Sequence, residues 1–175
     1  MTAAATGPRV VLVGPPGAGK TTTGQVLATR LGLAVRDTDE DIATAAGAVV
    51  QEIFVEHGEA HFRALEEKAV ATALGEHEGV LSLGGGAVLS DATRAALADH
   101  PVVFLDISLS GAARRVGLGA GRPLLLGNVR SQLKALLDAR RPLYTEVAGL
   151  TVATDDLTPD EVADRIAGWL EEADG

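Results

Sequence analysis

Near its start the chain reads VVLVGPPGAGKTT, Val10 to Thr22, and this stretch narrows the possible folds more than any other. Four aliphatic side chains in a row suit a strand buried on both faces, the habit of a parallel sheet. Gly14 to Thr21 then satisfies G-x-x-x-x-G-K-[ST]. Glycines let successive backbone N–H groups turn into one concavity, and a helix that opens there adds the partial positive charge of its N-terminus. On this pattern Lys20 reaches the β and γ phosphates of ATP, and the Thr21 hydroxyl ligates a magnesium ion. Gly17, Ala18, Gly19 and Thr22 complete the nucleotide loop.

The rest of the chain supplies partners for that first strand. Strand-like runs LAVRDT, GVLSLGG, PVVFLDI and GLTVAT alternate with helical patterns at about 20–31, 39–74, 91–98, from 110, from 129 and from 159. Such alternation predicts crossover connections and a doubly wound α/β fold, a five-stranded parallel sheet with helices on both faces. The 175 residues suit one domain, 1–175. Ser90 and the Thr158-Pro159 pair followed by Glu161 read as helix starts. The run GLGAGRPLLLGN, 117–128, carries four glycines and is expected to lack a fixed structure, with the next helix starting at Val129.

Composition excludes several function classes. Aromatic residues make up only 3%, so aliphatic side chains must fill the core. The absence of cysteine rules out thiolate metal sites, disulfides and a cysteine nucleophile. A net charge of −9 opposes binding to nucleic acid, which needs a basic face to release counterions. No apolar run approaches the roughly 20 residues that cross a bilayer, and MTAAATGPR lacks the order of a secretory signal. The expectation is a cytoplasmic protein with small-molecule substrates and no membrane or nucleic-acid partner.

Four further stretches carry chemistry. In RDTDED, Asp37 and Asp39 stand two apart, so both would leave an extended strand on one face. Asp37 could then hold magnesium through water while Asp39 takes a proton from an acceptor hydroxyl. The same acids equally suit the first turn of a helix. In HGEAHFRALEEK, Arg63 lies four residues after Glu59 and three before Glu66, spacing that fixes a guanidinium or merely laces a solvated face with ion pairs. Gly84, Gly85 and Gly86 end a strand and either admit a ligand to the backbone or form a turn. Asp106, at the end of VVFLD, reads as a structural residue. His57 and His61 lie one turn apart without a third ligand and read as surface residues.

With GPPGAGKTT, DTD, FRALEE, LGGGAV, GRPLL and RRPLY in this order, the sequence resembles the shikimate kinase family from about Val10 to the last helix. The resemblance implies a nucleoside-monophosphate-kinase-like P-loop fold of strand order 2-3-1-4-5 and transfer of the γ-phosphoryl of ATP to the 3-hydroxyl of shikimate, with one Mg2+ and a monomeric chain. It implies that Asp39 is the general base, acting with Lys20 and the lid residue Arg122. Arg63 and Arg140 would clamp the substrate carboxylate, the R-x-P-L-Y spacing selecting Arg140 over Arg141. Glu66 would orient Arg63, and Gly84, Gly85 and Gly86 would meet the ring hydroxyls. Phe54, Phe62 and Pro123 would line the apolar side of the ring, and Arg115 would stack on adenine. A substrate-binding region of about 39–75 and a mobile lid of about 117–128 follow from the same likeness. The alternatives are a kinase for another hydroxylated acid such as gluconate, or a non-catalytic nucleotide-binding module; the latter predicts damage at Lys20, Asp39 or Arg122, and all three are intact.

Overall fold

The computed structural model describes the backbone of residues 7–115 and 123–175, and side chains outside 123–129 within those spans. In chain order the elements are β1 (Val10–Val13), α1 (Lys20–Leu31), β2 (Val35–Asp37), α2 (Thr38–Ala46), α3 (Val50–Glu76), β3 (Val80–Ser82), α4 (Asp91–Leu97), β4 (Val102–Asp106), α5 (Leu109–Arg115), α6 (Pro123–Val147), β5 (Leu150–Ala153) and α7 (Pro159–Asp174), with a single 3-10 turn at Ala87–Leu89. The five strands form one parallel sheet in the order β2-β3-β1-β4-β5, as the resemblance implies.

The first strand sits at the centre because both its faces are apolar. Val10 and Leu12 enter one core cluster, with Leu27 of α1 and Val162 and Ile166 of α7. Val11 and Val13 enter another, with Val70 of α3, Leu97 of α4 and Tyr144 of α6. This is the two-residue period of a strand sandwiched between helical layers. Each such side chain removed from water contributes about 1.5–3 kcal/mol, so β1 holds the loop that follows it rigidly. A third, smaller cluster of Ile42, Ile53 and Phe62 lies between α2 and α3, away from the sheet.

Helix starts follow the sequence cues. Ser90 Oγ accepts the Thr93 N–H, and Thr158 with Glu161 forms a reciprocal capping box ahead of α7. Three boundaries differ from expectation. The helical material after β2 is two helices, broken at Gly47, whose left-handed φ of 69° ends α2; α3 is itself kinked at Gly58, φ 84°. Helix α6 begins at Pro123, six residues before the expected Val129. Proline is pre-set for a first helical position and three leucines follow it, which outweighs the roughly 1 kcal/mol cost of Gly127 inside the helix. Residues 117–122 of the expected lid, Arg122 among them, lie outside the described residues, as does the Pro123 side chain.

The third correction concerns Asp37 and Asp39. Strand β2 stops at Asp37, and Asp39 lies in the first turn of α2. Alternation along a strand therefore does not relate them. Asp37 Oδ1 accepts the Asp39 N–H at 2.9 Å, a helix N-cap, so the helix-start reading of these acids is true of the backbone while both carboxylates still line one cleft.

Candidate active site

The loop Gly14–Gly19 is shaped by backbone conformations that only glycine adopts without strain. Gly17 and Gly19 both have φ 87°, and Gly19 caps α1, whose first turn contains no acid. An anion therefore meets the open N-terminus of α1 without a competing carboxylate. Lys20 Nζ donates to the carbonyls of Gly14 at 2.6 Å and Pro15 at 3.2 Å. Burial lowers its pKa from 10.5 to about 8, against the pull of the Asp39 and Asp37 carboxylates. The ammonium is thus parked on carbonyls where phosphate oxygens would serve it better.

Facing the loop, a cleft of about 340 Å³ is lined by Pro16, Gly17, Gly19, Lys20, Thr21 and Thr22 on one side and by Asp37, Asp39, Ser82, Leu83, Gly84 and Gly85 on the other. Asp39 Oδ1 is buried and has no hydrogen-bond partner among the described residues. An unpaired buried carboxylate oxygen is costly, and the residue that carries it lines this cleft. Burial, and then the neighbouring Asp37, raise the Asp39 pKa, while Lys20 and Arg63 oppose the rise. Ser82, buried at the end of β3, was not a sequence candidate; its position at the carboxyl end of a central strand was the available signal.

Arg63 is held by a buried acid and two aromatic rings and does not lie on a solvated face. Its Nη1 donates to Glu66 Oε1 at 2.8 Å, and its Nε and Nη2 reach Glu59 Oε2 at 3.3 Å. Glu66 is only 3% exposed; burial raises its pKa and the Arg63 hydrogen bond counters this. The guanidinium lies 5.6 Å from the Phe54 ring centroid and 5.3 Å from that of Phe62, the two rings 4.5 Å apart, so cation–π attraction adds to the ion pair in holding it.

The glycine triplet is where these groups converge. A side chain at Gly84 would stand 2.6 Å from Asp39 Oδ1 and 2.9 Å from Glu66 Oε2, one at Gly86 would collide with the Arg63 guanidinium, and one at Gly85 would stand 3.6 Å from Arg140 Nη1. The adjacent Arg141 points elsewhere, donating to Asp106 Oδ1 at 3.3 Å and to the Ile107 carbonyl at 3.2 Å. Asp106, which also accepts the Ile107 N–H, is thereby structural, and Arg140 is the member of the pair that faces the site.

A second cavity, of about 280 Å³, adjoins the outer side of the phosphate loop and is lined by Ala18, Gly19, Thr22, Thr23, Arg115, Thr154, Leu157, Pro159 and Val162. Arg115 bridges its walls, donating to the Gly17 carbonyl at 2.9 Å and to Thr154 Oγ1 and carbonyl at 3.2 and 3.0 Å. Thr154 and Leu157 were not sequence candidates because they follow β5 with no motif of their own, and Pro159 was read there only as a helix start. His57 and His61 are exposed, their rings 4.8 Å apart, and no group of three metal-ligating side chains occurs among the described residues.

A parallel sheet of this order, with a phosphate loop opening α1 and a partnerless carboxylate across the cleft from it, defines a P-loop phosphotransferase of the nucleoside-monophosphate-kinase type. A model of the shikimate kinase family matches residues 16–171. The chain is 61% identical over 160 residues to the shikimate kinase of Saccharopolyspora erythraea, covering 91% of each chain, and 59% identical to that of Salinispora arenicola, covering 93% of this chain and 98% of the relative. The solved shikimate kinase of Acinetobacter baumannii in complex with shikimate is 34% identical and superposes with a TM-score of 0.86, covering 95% of this chain and 94% of that one. The chain belongs to the shikimate kinase family. Its reaction is phosphorylation of shikimate with ATP as co-substrate, giving shikimate 3-phosphate and ADP.

Proposed function

We propose that the cleft between the phosphate loop and the glycine triplet is where that reaction takes place, with the residues of this chain in the following roles. ATP lays its polyphosphate along Gly17–Thr22, and Lys20 leaves the loop carbonyls to meet the β and γ phosphates. The base enters the cavity beside Arg115, Thr154 and Pro159. Shikimate, a monoanion rich in hydroxyls, presents its carboxylate to Arg63 and Arg140; charge-assisted bonds from two guanidinium groups let a strongly acidic protein capture a small anion. Glu66 and Glu59 hold Arg63 in place, and Phe54 and Phe62 cover the apolar side of the ring. Helices α2 and α3 together form the acceptor-binding region.

Asp39 receives the acceptor's proton. As the 3-hydroxyl oxygen bonds to the γ phosphorus, the bond from that phosphorus to the β–γ bridging oxygen breaks, ADP leaves, and the hydroxyl proton passes to Asp39 Oδ1. The observation that carries this reading is that Asp39, one of whose carboxylate oxygens is buried without a partner among the described residues, lines the same cleft as Lys20 and Thr21.

The residues present suit a magnesium ion. Such an ion keeps several waters and takes one or two protein oxygens beside phosphate, and the Thr21 hydroxyl and an Asp37 carboxylate with one oxygen left after capping Asp39 offer that set. When bound, Mg2+ would neutralise charge building on the transferred phosphate. Among the described residues no helix is long and apolar enough to cross a membrane; membership of the family is the ground for reading the chain as a cytoplasmic monomer.

A coupled ADP-release assay with shikimate, gluconate and no acceptor tests the proposal. Turnover confined to shikimate and lowered about 10²- to 10⁴-fold in Asp39→Asn is the expected result; release of ADP at equal rates with gluconate would refute the acceptor site.

A further inference from the structure

Tyr144 is the only tyrosine in the chain. It is 1% exposed, and its ring packs 4.9 Å from that of Phe104. A phenylalanine would satisfy that packing equally, so the hydroxyl calls for a separate account. It donates to the Gly85 carbonyl at 2.5 Å, across 59 residues of sequence. Tyr144 also stands one helical turn after Arg140 on the same face of α6, so one turn of helix grips the triplet with a hydroxyl and presents a guanidinium beside it.

The triplet is held on its other flank as well. Gly84 N–H points at Thr38 Oγ1, 3.4 Å away in a fully buried position next to Asp39. Neither the Gly85 nor the Gly86 N–H has an acceptor among the described residues. Gly85 C=O and Gly86 N–H belong to one trans peptide and point in opposite directions, so a hydroxyl that fixes the carbonyl fixes the amide. Arg63, which no side chain at Gly86 would tolerate, stands beside that amide.

We infer that Tyr144 is a positioning residue for the acceptor: by pinning the Gly85 carbonyl it fixes the direction of the Gly86 N–H beside Arg63, so that this amide meets the substrate, and it keys the glycine turn to Arg140. This rests on the acceptor site proposed above. Burial raises the phenol pKa, with Arg140 and Arg63 opposing, so the group stays a donor across the working pH range. Its influence is on shikimate and not on ATP, because the nucleotide loop is anchored by β1 and α1 instead.

The test is Tyr144→Phe, with equilibrium dissociation constants measured separately for shikimate and for ADP, and Arg63→Ala run in parallel. The shikimate constant should rise about 3- to 10-fold, the loss of one hydrogen bond, while the ADP constant stays within about twofold, a split that general loosening of the fold would not produce. An unchanged shikimate constant in Tyr144→Phe beside a raised one in Arg63→Ala overturns the inference alone. No change in either variant removes the acceptor-site reading and the inference with it. Because there is one tyrosine, biosynthetic 3-fluorotyrosine labels this position alone in an otherwise unaltered chain. Its fluorine resonance should move on titration with shikimate, and a resonance indifferent to shikimate counts against the role even if Tyr144→Phe fails to fold.

Discussion

The two walls of the cleft are built in different ways. The nucleotide wall is one contiguous segment, Gly14–Thr22, set between the most buried strand of the sheet and the helix that follows it. The opposite wall, to which we assign the acceptor, is drawn from α2, α3, the turn after β3 and α6, and the cluster behind it contains three buried residues, Ile42, Ile53 and Phe62. In the roles proposed above, the first wall works chiefly through backbone amides and Lys20, and the second through side chains held by other side chains beside the glycine triplet. Helix α3 is kinked at Gly58, and Val55 near the kink is 87% exposed, so this wall has fewer buried apolar contacts behind it than the sheet has, and is expected to open more readily. A rigid half that serves any nucleoside triphosphate and a softer half that selects the acceptor would respond differently to substitution.

The sharpest break between them is chemical. Asp39→Asn keeps the volume but removes the base, and kcat should fall about 10²- to 10⁴-fold with ADP affinity unchanged; steady-state kinetics with nucleotide titration measures both. Turnover within tenfold of the parent would place the proton elsewhere.

Stability should separate the walls next. Leu12→Ala, in the cluster that supports the phosphate loop, should cost about 2–5 kcal/mol in urea unfolding. Ile53→Ala should cost less globally, because its cluster can relax without the sheet, and should show itself instead as a raised KM for shikimate. Equal losses from the two would mean that the acceptor wall is part of the main core.

Arg63→Ala and Arg140→Ala should each raise the KM for shikimate about 10- to 150-fold, from a charge-assisted bond worth about 1.5–3 kcal/mol, and leave that for ATP little altered. Arg141→Ala, which breaks a pair with Asp106 on a side chain 39% exposed, should raise neither. A larger effect from Arg141 than from Arg140 would reverse the assignment of the two.

The smallest expected effect is a proton. The pKa of Lys20 in the free protein is lowered from 10.5 to about 8, so the folded, nucleotide-free state favours the neutral amine. The free protein therefore gains stability as pH rises from about 8 toward 10.5, and loses it as pH falls back. Bound phosphate favours the ammonium, so nucleotide affinity weakens over the same rise. Calorimetry of ADP binding in buffers of different ionisation enthalpy should record proton uptake that is slight at pH 7 and approaches one by pH 9, and a flat profile would remove the linkage.

Much of this was legible before folding. The phosphate loop is read from eight consecutive residues because strand, loop and helix are local and each residue type has a backbone reason to be there. Arg63 and Glu66 were legible as a helical pair, but burial of Glu66 to 3% was needed to turn a surface ion pair into a positioned clamp. Asp37 and Asp39 do share a cleft, but not by strand alternation: the strand ended at Asp37, and a cap replaced the alternation. Tyr144, Thr38, Ser82 and Thr154 left no periodic trace, since each acts through a partner dozens of residues away or through its place at a strand end.

The order of amino acids alone settled the strand–loop–helix that receives phosphate, the parallel sheet that must surround it, and membership of one kinase family, because these depend on short-range backbone preference and on an ordered set of motifs. Folding decided which carboxylate oxygen is left without a partner, which hydroxyl grips the glycine triplet, and which acid draws Arg141 away from it. Those outcomes turn on contacts between distant segments, where burial and geometry set the energy, and no pattern within a single segment records them.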